Sequence, residues 1–174
     1  MEHFDIQKAP LEIERKFLIA YPDIAALQAM PDYRVVHIEQ SYLQAAETFI
    51  GGRVRTIREG DTVRYVYTYK ERLSDMTRRE FERDLSEAEY TELLSRKTPG
   101  TVTIRKDRHI FRYADLTYEL DVYEFWDDKA TLEAEVQSED TPIPIPPCVT
   151  LIKEVTADRR YNNSQLAWNQ GNIE

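Results

Sequence analysis

The sequence predicts a mainly β domain of the α+β kind: eight antiparallel strands closed into a barrel, with a charged lumen forming a tunnel and a few helices packed outside. Three observations predict it. About eight stretches alternate polar and apolar residues over strand-like lengths. Short turn signals at Glu59-Gly60-Asp61 and Ala114-Asp115 join neighbouring stretches as hairpins. The polar positions carry Arg and Lys on some stretches and Asp and Glu on others. That many strands, with few helices, tend to close on themselves.

Leu11 to Ile19 is the first strand. Its Glu12, Glu14 and Lys16 recur every second residue, which puts them on one strand face about 7 Å apart. Pro22 to Met30 reads as a short helix with Asp23 as its cap, closed by Pro31. Tyr33 to Gln44 is a strand. Phe49 to Arg58 is another, bent at Gly51 and Gly52, and it pairs with Thr62 to Glu71. Thr77 to Leu85 is the fifth strand. Ser86 opens a helix with Glu89 in capping-box position, and Pro99-Gly100 ends it. Thr101 to Tyr113 and Leu116 to Phe125 form a second hairpin, and Thr131 to Ser138 is the eighth strand. The four prolines of Thr141 to Pro147 exclude helix or strand interior. Leu151 to Val155 fits a further short strand, Asp158 to Asn169 a terminal helix, and the tail after Gly171 is expected to fray.

The 174 residues fit one domain spanning 1–174. A net charge of −9 argues against a general nucleic-acid or anionic-membrane surface. The 11 Tyr outnumber the 6 Phe and 2 Trp together and lie mostly in the alternating stretches, as strands favour. Cys148 is alone, so no intramolecular disulfide forms, which fits a reducing compartment. Met1 to Pro10 holds no basic-then-apolar leader, and no apolar run is long enough to span a bilayer. A cytoplasmic location is expected, without a membrane partner, and a homodimer is allowed.

The sorted charges carry the chemistry. Every second position yields Arg53 and Arg55, then Thr68 and Lys70, then Arg78, Glu80 and Glu82. The later strands yield Lys106 and Arg108, then Glu119, Asp121 and Tyr123, then Glu133 and Glu135. The intervening residues are often apolar: Val54, Tyr69, Phe81, Leu120, Val122, Ala134 and Val136. A solvated outer face has no need to sort charge by strand, and the helices need an apolar outer sheet face. Charge inside and grease outside fits both. An enclosed lumen of charge is costly unless neutralised. Arginine forks and lysines suit phosphate oxygens, and clustered carboxylates suit a hard divalent ion such as Mg²⁺ or Mn²⁺. Together they describe a site for a metal-bound polyphosphate. The 3 His and single Cys supply no zinc set, and no glycine-rich phosphate loop is present.

The run Glu12-Ile-Glu-Arg-Lys16 resembles the ExExK signature of the CYTH superfamily, the triphosphate tunnel metalloenzymes. Gln40-Ser-Tyr-Leu43, Arg53-Val-Arg55, Thr68-Tyr-Lys70, Glu80-Phe-Glu82, Lys106-Asp-Arg108, Glu133-Ala-Glu135 and the run from Lys153 to Tyr161 resemble that family's later strand motifs, in family order. ExExK alone is a short pattern; the ordered series over nearly the whole chain is far more specific. The resemblance implies an eight-stranded tunnel and a divalent-metal-dependent reaction on triphosphates. The opening motif is most similar to short bacterial inorganic triphosphatases. Hydrolysis of tripolyphosphate, a small-molecule triphosphate, is therefore expected. Thiamine triphosphate hydrolysis, class IV-type cyclisation of ATP and non-catalytic polyphosphate or nucleotide binding are the alternatives. His3-Phe4 is similar to the cyclase branch, but its spacing and the following residues do not match.

Carried over on that resemblance, Glu12, Glu14, Glu133 and Glu135 hold Mg²⁺ or Mn²⁺, with Asp121 as a further ligand. Lys16, Arg53, Arg55, Lys70, Lys106 and Arg108 bind the phosphate chain, and Arg160 reaches the tunnel mouth from the terminal helix. Lys16 and Lys70 also stabilise charge moving to the leaving group, and Glu80 and Glu82 orient a water or help hold a second metal. The plainer alternative for each cation is structural pairing with a facing carboxylate, for Glu133 and Glu135 a solvated strand face, and for Glu80 and Glu82 a role as buried partners for Arg and Lys. Arg58, Arg78, Arg79 and Arg83 are expected on the surface, Tyr65, Tyr67 and Tyr69 in outer packing, and Cys148 and His109 receive no role.

Overall fold

The computed structural model describes residues 4–174. Part of the Met1 to Pro10 stretch read for a leader, and His3 of the His3-Phe4 pair, lie outside these residues. The strands are β1 (Leu11–Ala20), β2 (Arg34–Leu43), β3 (Gly52–Glu59), β4 (Thr62–Arg72), β5 (Thr77–Leu85), β6 (Ile104–Tyr113), β7 (Leu116–Tyr123), β8 (Lys129–Val136) and β9 (Leu151–Glu154). The helices are α1 (Ile24–Gln28), α2 (Glu87–Leu94) and α3 (Asn163–Asn169), with 3₁₀ turns at Ile6–Lys8 and Arg159–Tyr161. The order β5-β4-β3-β2-β6-β7-β8-β1 is antiparallel throughout and closes when β1 pairs with β5. Closure rests on three residue pairs, Leu11–Arg79, Glu12–Arg78 and Ile13–Thr77. Further along the same edge of β1, beyond β5, the extra strand β9 pairs instead.

The interior and exterior are inverted relative to an ordinary globular core. Phe17, Ile19, Phe111, Leu120 and Leu132 point outward and are covered by α1 and the proline segment through Leu27, Ile143 and Ile145. Val54, Tyr67, Tyr65, Tyr69 and Phe81 form a second outer cluster under Leu93 and Leu94 of α2. The tyrosine stripe therefore packs outside, as its parity predicts. His109 also faces this side, with its Nδ1 2.9 Å from the Tyr33 hydroxyl. A third cluster is different. Leu18, Ile104 and Tyr123 each lie two residues from a bore-facing charge, so they continue the inner rows. They pack with Tyr161, Leu166 and Ala167 and stopper one end of the barrel.

Local signals explain most boundaries. Asp23 accepts from the backbone N–H groups of Ala25 and Ala26 and caps α1. Gly51 and Gly52 both take positive φ, and a Cβ on Gly52 would lie 2.7 Å from the Thr68 carbonyl oxygen, so only glycine fits the bend before Arg53. The expected helix from Asp158 is shorter than the pattern suggested. It breaks into the 3₁₀ turn and α3, because Tyr161 turns inward to the stopper and Asn162 adopts an extended backbone. The tail does not simply fray: Trp126 donates its indole N–H to the Gly171 carbonyl at 2.9 Å. No helix among the described residues is long and apolar enough to cross a membrane.

Ser86 and Glu89 form a reciprocal capping box at the start of α2. Ser86→Ala is expected to lower unfolding free energy by about 1 kcal/mol, read as a lower urea midpoint at unchanged slope. The Ser86 backbone N–H, then Arg83, hold the Glu89 carboxyl down to about 2 from 4.5. A carboxyl lowered by folding stabilises above its ordinary pKa, and the contribution fades as pH falls from 4.5 towards 2. Glu89→Gln should flatten that part of the acid-unfolding curve.

Candidate functional site

Alternation along eight strands brings the charged rows together around one cavity of about 780 Å³. Glu12, Glu14 and Lys16 of β1 face it, as do Arg53 and Arg55 of β3, Lys70 of β4, and Glu80 and Glu82 of β5. Arg108 of β6 and Glu133 and Glu135 of β8 face it too, whereas the expected Lys106, Asp121 and Arg160 do not. Asn162, Asn163 and Ser164 line the cavity where the stopper begins.

Each enclosed charge has a defined environment. Lys16 Nζ sits 2.6 Å from Glu133, its register partner across β1 and β8. Burial resists that charge, yet Glu133 and Glu14 raise the Lys16 pKa. Burial likewise opposes the Glu133 charge, but Lys16 and Arg108 bring it down to about 2. Lys70 Nζ bridges Glu12 at 2.5 Å and Glu80 at 2.8 Å. Arg55 donates to Glu82 at 2.6 Å and to the Thr68 hydroxyl at 3.1 Å. Burial and the adjacent Arg53 lower Arg55 to about 10.

Two features are left unbalanced. Arg53 has no carboxylate within ion-pair distance among the described residues, and the Nε atoms of Arg53 and Arg55 are buried without a partner. An orphaned buried donor beside a cavity calls for an acceptor from outside the chain. On the facing wall, Glu14 and Glu135 are direct partners across β1 and β8. Like charges so placed repel. Burial, together with Glu14 and Glu80, lifts Glu12 to about 7 despite Lys70. This excess of carboxylate oxygen fits a hard divalent cation. Among the described residues no three such side chains converge as a ligand set; Lys70 holds Glu12 and Arg78 holds Glu14.

Four expectations need correction. Arg160 does not reach the bore: it lies on the 3₁₀ turn, pairs with Asp158 at 2.7 Å and bonds the Ile173 carbonyl on the outside. The inward turn of Tyr161 sends its neighbour outward. Asp121 is 1% exposed and saturated by Lys106 at 2.5 Å and the Arg108 fork at 2.7 and 2.8 Å. Burial opposes its charge, but Arg108 and Lys106 hold its pKa far below the carboxylate range. It has no free oxygen for a metal. Lys106, also 1% exposed, is spent on Asp121, and burial and Arg108 lower it to about 8. Both belong to the stopper's polar base. Arg78, expected outside, faces the cavity, with Nη1 2.8 Å from Glu14. Its parity with Glu80 and Glu82 already placed it there. Arg79 pairs with Glu71, Arg83 pairs with Glu89, and Arg58 lies outside the lining, as expected. Glu119, given no role from sequence, also lines the cavity and pairs with Arg108.

A model of the CYTH domain family matches residues 10–144. The inorganic triphosphatase of Nitrosomonas europaea is 33% identical over 159 residues, covering 90% of this chain and 96% of that protein. The crystal structure of the inorganic triphosphatase NE1496 superposes with a TM-score of 0.57 at 30% identity, over 90% of this chain and 94% of that one. The PH1819 protein of Pyrococcus horikoshii shares the fold at 21% identity and a TM-score of 0.58, over 74% of this chain and 80% of that one.

Asp121→Asn should cost about 3–5 kcal/mol of stability, because it leaves Lys106 and Arg108 under-neutralised in the interior. Urea unfolding measures it. Unchanged stability with lost metal affinity would return Asp121 to the ligand set.

Proposed function

The chain belongs to the CYTH domain family, and we propose that it hydrolyses inorganic triphosphate with the help of Mg²⁺ or Mn²⁺, releasing phosphate. The observation that carries the reading is the divided bore: unpaired arginine donors on one wall and surplus carboxylate on the other. A polyphosphate with its counter-cation supplies both missing partners. The 33% identical inorganic triphosphatase of Nitrosomonas europaea supports the choice of substrate.

Arg53 and Arg55 receive the phosphate chain through their guanidinium groups, and Arg108 and Lys16 hold its reacting end near the floor. Glu12, Glu14 and Glu135 would hold the cation, with Glu133 behind them. Bound there, such a cation would supply Lewis-acid charge beside the phosphate chain and a lower pKa for an attacking water. Lys70, between Glu12 and Glu80, stabilises charge as it passes to the leaving phosphate. Glu80 and Glu82 orient the water for in-line displacement. A cytoplasmic setting is part of the same proposal, supported by the single free Cys148.

One observation favours a second reading. Val36, Ile38, Ile57 and Ile110 line the cavity on β2, β3 and β6, the wall opposite β1. The volume of about 780 Å³ falls in the range that organic ligands fill. Thiamine triphosphate or ATP could rest an organic group there.

Purified protein with Mg²⁺ or Mn²⁺ should release phosphate from tripolyphosphate faster than from thiamine triphosphate or ATP, and form no cyclic AMP. Lys16→Ala and Glu14→Ala should each abolish release in a folded protein. Arg53→Ala should raise KM about tenfold or more, the value of a lost charged contact. Full activity in Lys16→Ala and Glu14→Ala would remove the site assignment.

A further inference from the structure

Arg78 is an arginine on the carboxylate side of the bore. It is the central residue of the three-pair closure, opposite Glu12 in register, and it is bound to Glu14. Both Arg78 and Glu14 side chains are 16% exposed, so the contact is largely shielded from water. On its other side Arg78 faces Arg72 across β4 and β5. Arg72 is already committed to the Ser74 carbonyl and Asp75. Like charge from Arg72 pushes the Arg78 guanidinium towards β1, where Glu14 is its ionic partner among the described residues.

A guanidinium and a divalent cation cannot share one carboxylate without repelling each other. Resting on the metal-held triphosphate reading above, we infer that Arg78 is the resident counter-ion of the acidic wall. It occupies Glu14 until a triphosphate arrives, then transfers to a phosphate oxygen and frees Glu14 for the cation. Arg78 is thus a positioning residue that makes cation binding depend on triphosphate. The bare cation meets a wall whose ligands Arg78 and Lys70 already hold. A cation carried with a triphosphate brings the acceptor that releases them. By reciprocity, the cation tightens triphosphate binding by the same factor.

The test titrates Mn²⁺ against folded protein and follows free Mn²⁺ by electron paramagnetic resonance, with and without a non-hydrolysable imidotriphosphate. Wild-type protein should bind Mn²⁺ alone weakly and at least about fivefold more tightly with the analogue. Arg78→Gln should bind Mn²⁺ alone about tenfold more tightly than wild type, with a smaller gain from the analogue. Arg78→Lys, which keeps the charge, should stay near wild type, as should Arg79→Gln on the outer face. Equal Mn²⁺ affinity in wild type and Arg78→Gln would overturn the inference. So would a wild-type affinity indifferent to the analogue, a result that needs no variant to fold. Phosphate release by the wild type from tripolyphosphate is scored separately. Its absence sinks the proposed hydrolysis, whereas its presence with either overturning result sinks only the role of Arg78.

Discussion

Charge enclosed by a closed sheet has to be neutralised in place, and this requirement governs the rest of the molecule. A strand points every second side chain to one face. Eight strands closed on themselves aim those rows at a common axis. Here the rows carry carboxylates, guanidiniums and ammoniums, so each must meet its opposite within ionic contact or lie at a wetted wall. Register arranges most of the meetings. Lys16 faces Glu133, Lys70 faces Glu80 and Arg108 faces Asp121 as direct cross-strand partners.

These pairs are not equivalent. Lys106 and Asp121 are sealed beneath the stopper and each satisfies the other. Breaking that contact strands a charge where water cannot reach, so it acts as a permanent girder. Towards the wetted part of the bore, Lys70 with Glu12 and Arg78 with Glu14 keep some exposure. There a ligand can replace the lost partner. One end of the barrel is therefore built to hold, and the rest to exchange.

The inverted architecture shifts the source of stability outward. The bore contributes little apolar burial of its own, apart from the wall of β2, β3 and β6. The outer face supplies the apolar area instead, packed under α1, α2 and the proline segment. The three-residue closure between β1 and β5 is the narrowest link in the ring. It also carries Glu12 and Arg78, so the mechanical seam and the most exchangeable charges coincide.

The linear order of residues was enough to determine the strands, their hairpins, the α2 cap, the Gly52 bend and the parity that sorts charge from grease. These depend on neighbours one to four residues away, which a sequence displays directly. Most of the bore-lining side chains were legible for the same reason, including Arg78, whose parity pointed inward although it was expected on the surface. Only the folded barrel could decide which charges pair and which stay available. Pairing depends on register between strands far apart in the chain: Glu14 with Arg78, or Lys16 with Glu133. It likewise decided that Tyr161 enters the stopper and throws Arg160 outside, because a buried aromatic outweighs the continuity of a short helix. Alternation fixes which way a side chain faces, but the partner waiting there is a property of three-dimensional contact.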